Sequence, residues 1–138
     1  MPIHYKDNLV QELLSAAQTL TGAWADLGDV IDTRDIKKVA VWLDLDVNDS
    51  QNVRVRFVGK KTNASTEVFV LPIKTIGVSD VKVEDEYFEL NEDVDQKVMI
   101  DSQVGDLTPF IQIQVMAGVP GASPGQLLTA GVSFSSAR

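Results

Sequence analysis

The chain of 138 residues contains no cysteine. Disulfides and thiolate metal sites are excluded, and the composition suits maturation in a reducing compartment. Histidine occurs once, as His4. One imidazole leaves almost no material for Ser-His-type catalysis or for a histidine-rich metal centre. Long apolar runs are missing too. Nothing approaches the roughly 20 residues that span a bilayer, so no membrane partner is expected. Met1 to Lys6 is polar with no apolar h-region behind it, so no secretory leader is expected either. Bases are in deficit: 12 Lys and Arg stand against 20 Asp and Glu, giving a net charge of −8. A basic nucleic-acid face is therefore disfavoured, and no nucleic-acid partner is expected. The Gly/Pro-rich stretch from Gly118 to Gly125 lacks the lysine and the following helix that a phosphate cradle needs. No cofactor is implied, and the chain is expected not to be an enzyme.

What is present is strand periodicity. Val39, Val41, Leu43 and Leu45 alternate with Ala40, Trp42, Asp44 and Asp46, and after a polar link Val53, Val55 and Phe57 alternate with Arg54 and Arg56. A period of two on both sides of a short Asn/Asp/Ser link predicts an antiparallel hairpin. It would place Trp42, Asp44, Asp46, Arg54 and Arg56 on one face. The same alternation returns in Phe110 to Ala117, and Leu128, Ala130, Val132 and Phe134 read as the last strand. Asp26 to Asp29 and Thr33 to Asp35 read as turns. About eight short strands with turn chemistry between them predict a mainly all-β fold, an antiparallel β-sandwich of jelly-roll or immunoglobulin-like type.

The one helical pattern comes first. Asn8 with Gln11 three residues on has capping-box spacing, and Leu9, Val10, Leu13, Leu14 and Ala17 fall on one stripe. The reading is an N-terminal arm and short amphipathic helix over 1–18, followed by a β-sandwich domain over 19–138. A helix of this length must bury its stripe against the body or a neighbour.

Candidate chemistry is sparse. Asp44, Asp46, Asn48 and Asp49 open like a calcium loop, with hard oxygen ligands at alternating positions. The match then fails, because Asp49 stands where a glycine is expected and Val55 where a bidentate glutamate is needed. The acids between Glu84 and Asp95 supply carboxylate pairs, but in a highly charged stretch ill suited to holding two carboxyls in a dry cleft. Trp24, Trp42 and Tyr87 are candidates for an aromatic platform for sugar rings. Trp and Arg are enriched where subunits meet, which makes Trp42, Arg54 and Arg56 candidate interface residues beside Leu9, Val10, Leu13 and Leu14. The acidic run containing Glu84, Asp85 and Glu86 is a candidate to oppose a basic patch on a neighbour.

The order of arm, amphipathic stretch, Thr19-Leu-Thr-Gly-Ala-Trp-Ala-Asp-Leu-Gly28, strand-rich body and Gly/Pro loop resembles small virion structural proteins of tailed bacteriophages. The segment Phe110-Ile-Gln-Ile-Gln-Val115 is similar to segments of their capsid-decoration and head–tail proteins. The resemblance implies a non-enzymatic, homo-oligomeric viral protein: a capsid-decoration (auxiliary capsid) subunit, or else a neck or tail component. It would be made in the host bacterial cytoplasm and contact copies of itself and major capsid or head–tail proteins. A carbohydrate-binding module and a calcium-dependent adhesion module are the alternatives.

Overall fold

A computed structural model describes residues 11–34, 36–65, 69–70, 74–76, 81–83, 87–93, 99–101 and 109–136. None of these residues is helical. The strands are β1 (Gln11–Glu12), β2 (Gln18–Thr19), β3 (Ala25–Asp32), β4 (Ile36–Asp46), β5 (Gln51–Lys60), β6 (Phe69–Val70), β7 (Lys74–Ile76), β8 (Val81–Val83), β9 (Phe88–Leu90), β10 (Met99–Asp101), β11 (Phe110–Val119) and β12 (Gln126–Ser136).

Two antiparallel sheets carry the body. In the smaller, β12 pairs with β4 along one side and with β1 and β2 along the other. The larger runs β3-β11-β5-β9-β8, with β6 also beside β5. A separate pair joins β7 to β10. Alternation decides what is buried. Val39, Val41, Leu43, Leu45, Leu127, Ala130 and Val132 of the smaller sheet share one core with Leu27, Ile31, Val53, Val55, Phe57, Leu90, Ile111, Ile113, Val115 and Ala117 of the larger. Burial of these apolar side chains is the main favourable term, at roughly 25 cal/mol per Å² of apolar surface.

The hairpin expectation is corrected by this pairing. β4 and β5 each alternate as read, but they lie in different sheets and do not hydrogen-bond to each other. The link Val47 to Ser50 carries the chain from one layer to the other. Alternation marks a half-buried strand, yet it does not distinguish a partner beside it from one facing it across the core.

The amphipathic helix is corrected over 11–18. These residues hold β1, β2 and an irregular arch between them. Leu13 N–H donates to the Ala130 carbonyl at 2.8 Å, and Leu13 and Leu14 pack partly buried against the core. The reason is local demand. The second edge of β12 presents backbone donors and acceptors that an extended chain satisfies and a helix does not. The boundary expected at 18/19 falls inside β2. Leu9 and Val10 lie outside the described residues.

The turn expected at Asp26 to Asp29 lies within β3, which runs through it on a bulge. Ile31 pairs with Ile111 and Leu27 with Ile113, so Gly28, Asp29 and Val30 oppose Gln112 alone. Gly28 has φ +75°, and a Cβ there would sit 2.9 Å from the Leu13 side chain. The bulge leaves the Gly28 carbonyl to a side chain, and buried Gln112 donates to it from Nε2 at 2.9 Å. Gly28→Ala is expected to destabilise by about 2 kcal/mol, since it combines left-handed strain with a clash. Urea denaturation reads this as a lower midpoint with an unchanged m-value.

The Gly/Pro loop is also more than a connection. Ser50, buried, donates from Oγ to the Pro120 carbonyl (2.7 Å) and accepts from Gly125 N–H (2.8 Å). Asp49 N–H donates to the Ser123 carbonyl at 3.0 Å, and Ser123 N–H returns a bond to Asp49 Oδ2 at 3.2 Å. Two crossings of the chain are thereby bolted together at one end of the layers.

Candidate functional site

Because Val53, Val55 and Phe57 point into the core, Arg54 and Arg56 emerge on the outer face of the larger sheet. Register fixes their neighbours. Arg56 stands opposite Gln114 on β11, which stands opposite Asp26 on β3. A hydrogen-bonded row follows: Arg56 Nε donates to Gln114 Oε1 at 2.9 Å, and Gln114 Nε2 donates to Asp26 Oδ1 at 3.1 Å. Arg54 stands between Met116 on β11 and Glu89 on β9. Its Nε donates to Glu89 Oε1 at 3.3 Å, and the Glu89 side chain is only 8% exposed. Asn91 Nδ2 donates to the other carboxylate oxygen at 3.5 Å. Removing Arg54 would leave that carboxylate buried without its cation, the costly way to break an ion pair.

Two aromatic rings complete the face. Trp24 precedes β3 and Tyr87 precedes β9, and their ring centroids lie 6.4 Å apart at 54°. The Arg56 guanidinium stands 4.2 Å from the Trp24 ring centroid and that of Arg54 4.9 Å from Tyr87. Each such contact contributes roughly 0.5–1 kcal/mol at a partly exposed site. The result is a patch of two rings and two guanidiniums over four neighbouring strands, cross-braced by hydrogen bonds and cation–π contacts.

The sequence-predicted residues are redistributed. Trp42 lies on the outer face of the smaller sheet, on the other side of the core from Arg54 and Arg56. Its indole Nε1–H donates to Ser133 Oγ at 2.9 Å, and its register partner is Gly131, an aromatic side chain lying opposite a glycine. Of the three aromatics considered as a platform, Trp24 and Tyr87 are brought together and Trp42 is not. Asp44 and Asp46 share the outer face of β4 with Trp42. Asp46 Oδ1 accepts from Asn48 N–H at 3.3 Å, and Asn48 Nδ2 donates to the Pro124 carbonyl at 3.3 Å. With Asp49 bonded to Ser123, these side chains hold the loop. No three His, Cys, Asp or Glu side chains converge as metal ligands among the described residues. Glu84, Asp85 and Glu86 lie outside the described residues. Reading the sequence alone missed Glu89 as the partner of Arg54 and Gln114 as that of Arg56, and strand order is the only signal that pairs them.

At the far end of β3, Arg34 Nε donates to Asp32 Oδ1 at 2.9 Å, and Arg34 N–H donates to the same oxygen at 3.0 Å. The side-chain bond first, then the backbone bond, holds the Asp32 carboxyl down from 3.8 to about 2. The folded value is the depressed one. Any contribution to stability is therefore complete above the ordinary carboxylate range and is lost as pH falls through about 2. Arg34→Ala removes the side-chain bond and keeps the backbone one, so it is expected to move the Asp32 titration only part of the way back up toward 3.8, which carboxyl-detected NMR reads directly.

Compared with protein-family models, with curated proteins and with solved structures, the chain matches none.

Proposed function

We propose that this protein is a non-enzymatic structural subunit that works by surface contact. With the sequence resemblance, we place it in a bacteriophage particle, first as a capsid-decoration subunit and second as a neck or tail component. In this reading the two-sheet body is a β-sandwich of jelly-roll or immunoglobulin-like type, made in the bacterial cytoplasm and ending in the virion. Its partners are copies of itself and other virion proteins.

The observation that carries the reading is the face of Trp24, Tyr87, Arg54 and Arg56. Trp, Tyr and Arg are the residue types that dominate binding energy at protein interfaces. Here Arg56 is bonded to Gln114, itself bonded to Asp26, and Arg54 to Glu89, before any partner arrives. Prior ordering lowers the side-chain entropy lost on association.

Arg56→Glu tests it. The substitution reverses one charge, removes the contact to Trp24, and leaves the core untouched. We expect a folded protein, by unchanged far-UV circular dichroism, whose self-association is weakened at least about tenfold, an ordinary effect for one central interface residue. Unchanged association would count against this face as the contact. Binding of a neutral glycan that vanishes in Trp24→Ala would replace the proposal with the carbohydrate-binding reading.

A further inference from the structure

We propose that the strap Gln11 to Leu20 is exchanged between copies of this chain, each subunit receiving on the edge of its β12 the strap of a neighbour. The inference rests on the reading that copies associate, and it names the element that links them.

The strap is attached in a particular way. β1 meets β12 at Gln11↔Val132 and Glu12↔Gly131, and β2 meets it at Gln126↔Thr19 and Leu127↔Gln18. Between these short pairings the strap arches off the edge, with Ser15, Ala16 and Ala17 exposed. β12 is irregular at the same place. Its register with β4 shifts between Leu127 and Thr129, and Leu128 there is 40% exposed, one of two large hydrophobics so exposed among the described residues. Strap and edge therefore meet at two ends and part in the middle.

The apolar anchors belong to the strap and their sockets to the body. Leu20 is buried, Leu13 and Leu14 are partly buried, and Leu13 seats against Gly28 of β3. Gln18 Nε2 also donates to the Asp26 carbonyl at 3.2 Å, so the strap ties the smaller sheet to an edge of the larger. Every one of these contacts can be made identically by the strap of another copy. The contacts then balance between the two arrangements, and protein concentration decides between them, as in strand exchange generally. The hinge would be Thr21 to Ala23, all exposed: the Thr21 carbonyl stays on its own body, accepting from Ala117 N–H at 2.9 Å, and Gly22 beside it would bring an added Cβ only to ordinary contact with Pro120 at 3.4 Å.

The absence of native cysteine makes the test clean. Thr19 and Gln126 are directly paired in β2 and β12, so cysteines at these two positions lie close enough to link. Two single variants, Thr19→Cys and Gln126→Cys, are refolded together from urea, concentrated and oxidised. Neither can form the 19–126 link within one chain. Exchange predicts that peptide mapping by mass spectrometry finds the 19–126 link in excess over 19–19 and 126–126 links by at least about tenfold, because paired strands hold the thiols at a high effective concentration. The same sample is weighed by light scattering. A mixture that assembles but gives no excess of the 19–126 link overturns the exchange and leaves the association standing. A mixture that stays monomeric without the link overturns both.

Discussion

Replacing Phe57 by alanine is expected to destabilise the protein by about 4 kcal/mol, through lost apolar burial plus the cavity left behind. Phe57 is the largest of the fully buried side chains among the described residues, with no exposed surface. It sits on β5, the strand flanked by β11 on one side and by β9 and β6 on the other. Ile113 is its register partner, and Val39, Val41, Leu43 and Leu45 of the facing sheet belong to the same core. A void there is walled by strands locked in two sheets, so relaxation into it is limited. For a domain of this size the loss corresponds to a melting temperature lower by roughly 12 °C. Phe57→Leu, which keeps most of the volume, should cost about 1 kcal/mol. If Phe57→Ala melted within a degree or two of the wild type, the shared core described here would be wrong.

The second large effect is expected at Gly125. A Cβ built there would lie 2.6 Å from the carbonyl oxygens of both Asp46 and Val47. Neither can yield as a flexible side chain would, because both belong to the backbone of the β4–β5 crossing. Gly125 N–H is also tied to Ser50 Oγ at 2.8 Å, and its carbonyl accepts from Leu20 N–H at 2.9 Å. Gly125→Ala must break the bolt between the crossing and the Gly/Pro loop or distort it, at about 3 kcal/mol, the upper range for overpacking. Gly22→Ala is the control, since its added Cβ meets the Pro120 ring at an ordinary 3.4 Å; it should move stability by less than about 0.5 kcal/mol. Chemical denaturation of the pair separates a steric requirement at Gly125 from a general penalty for losing loop glycines.

These two sites mark how far the sequence could be read. The inward positions of β4, β5 and β11 were legible, because strict alternation of Val, Leu, Ile and Phe with polar residues has one explanation in a two-layer β protein. Pairing was not legible. The same alternation that made Val39 to Phe57 look like a hairpin is produced by two strands facing each other across a core. A hairpin would put Trp42 and Arg54 on one face; they stand on opposite faces of the core. The last strand was legible in place and, at Ala130 and Val132, in phase; at Leu128 alone a bulge reverses it, burying Leu127 and exposing Leu128. The N-terminal stripe misled over 11–18 because Leu13 and Leu14 serve equally well as anchors of an extended strap. The decisive factor, an open edge on β12, belongs to another part of the chain. Of the candidate face, the arginines, Trp24 and Tyr87 were visible as residue types. Their convergence depends on β9 lying beside β5 and on β3 lying beside β11, which no local pattern encodes.

If this chain works by assembling with copies of itself, its mass in solution must depend on concentration. Light scattering behind size exclusion, from micromolar to millimolar protein, reads that mass. Closed symmetric assemblies need dedicated interfaces, and a discrete oligomer is expected whose population grows with concentration and falls in Arg56→Glu. The mass of a single chain at every concentration would contradict it.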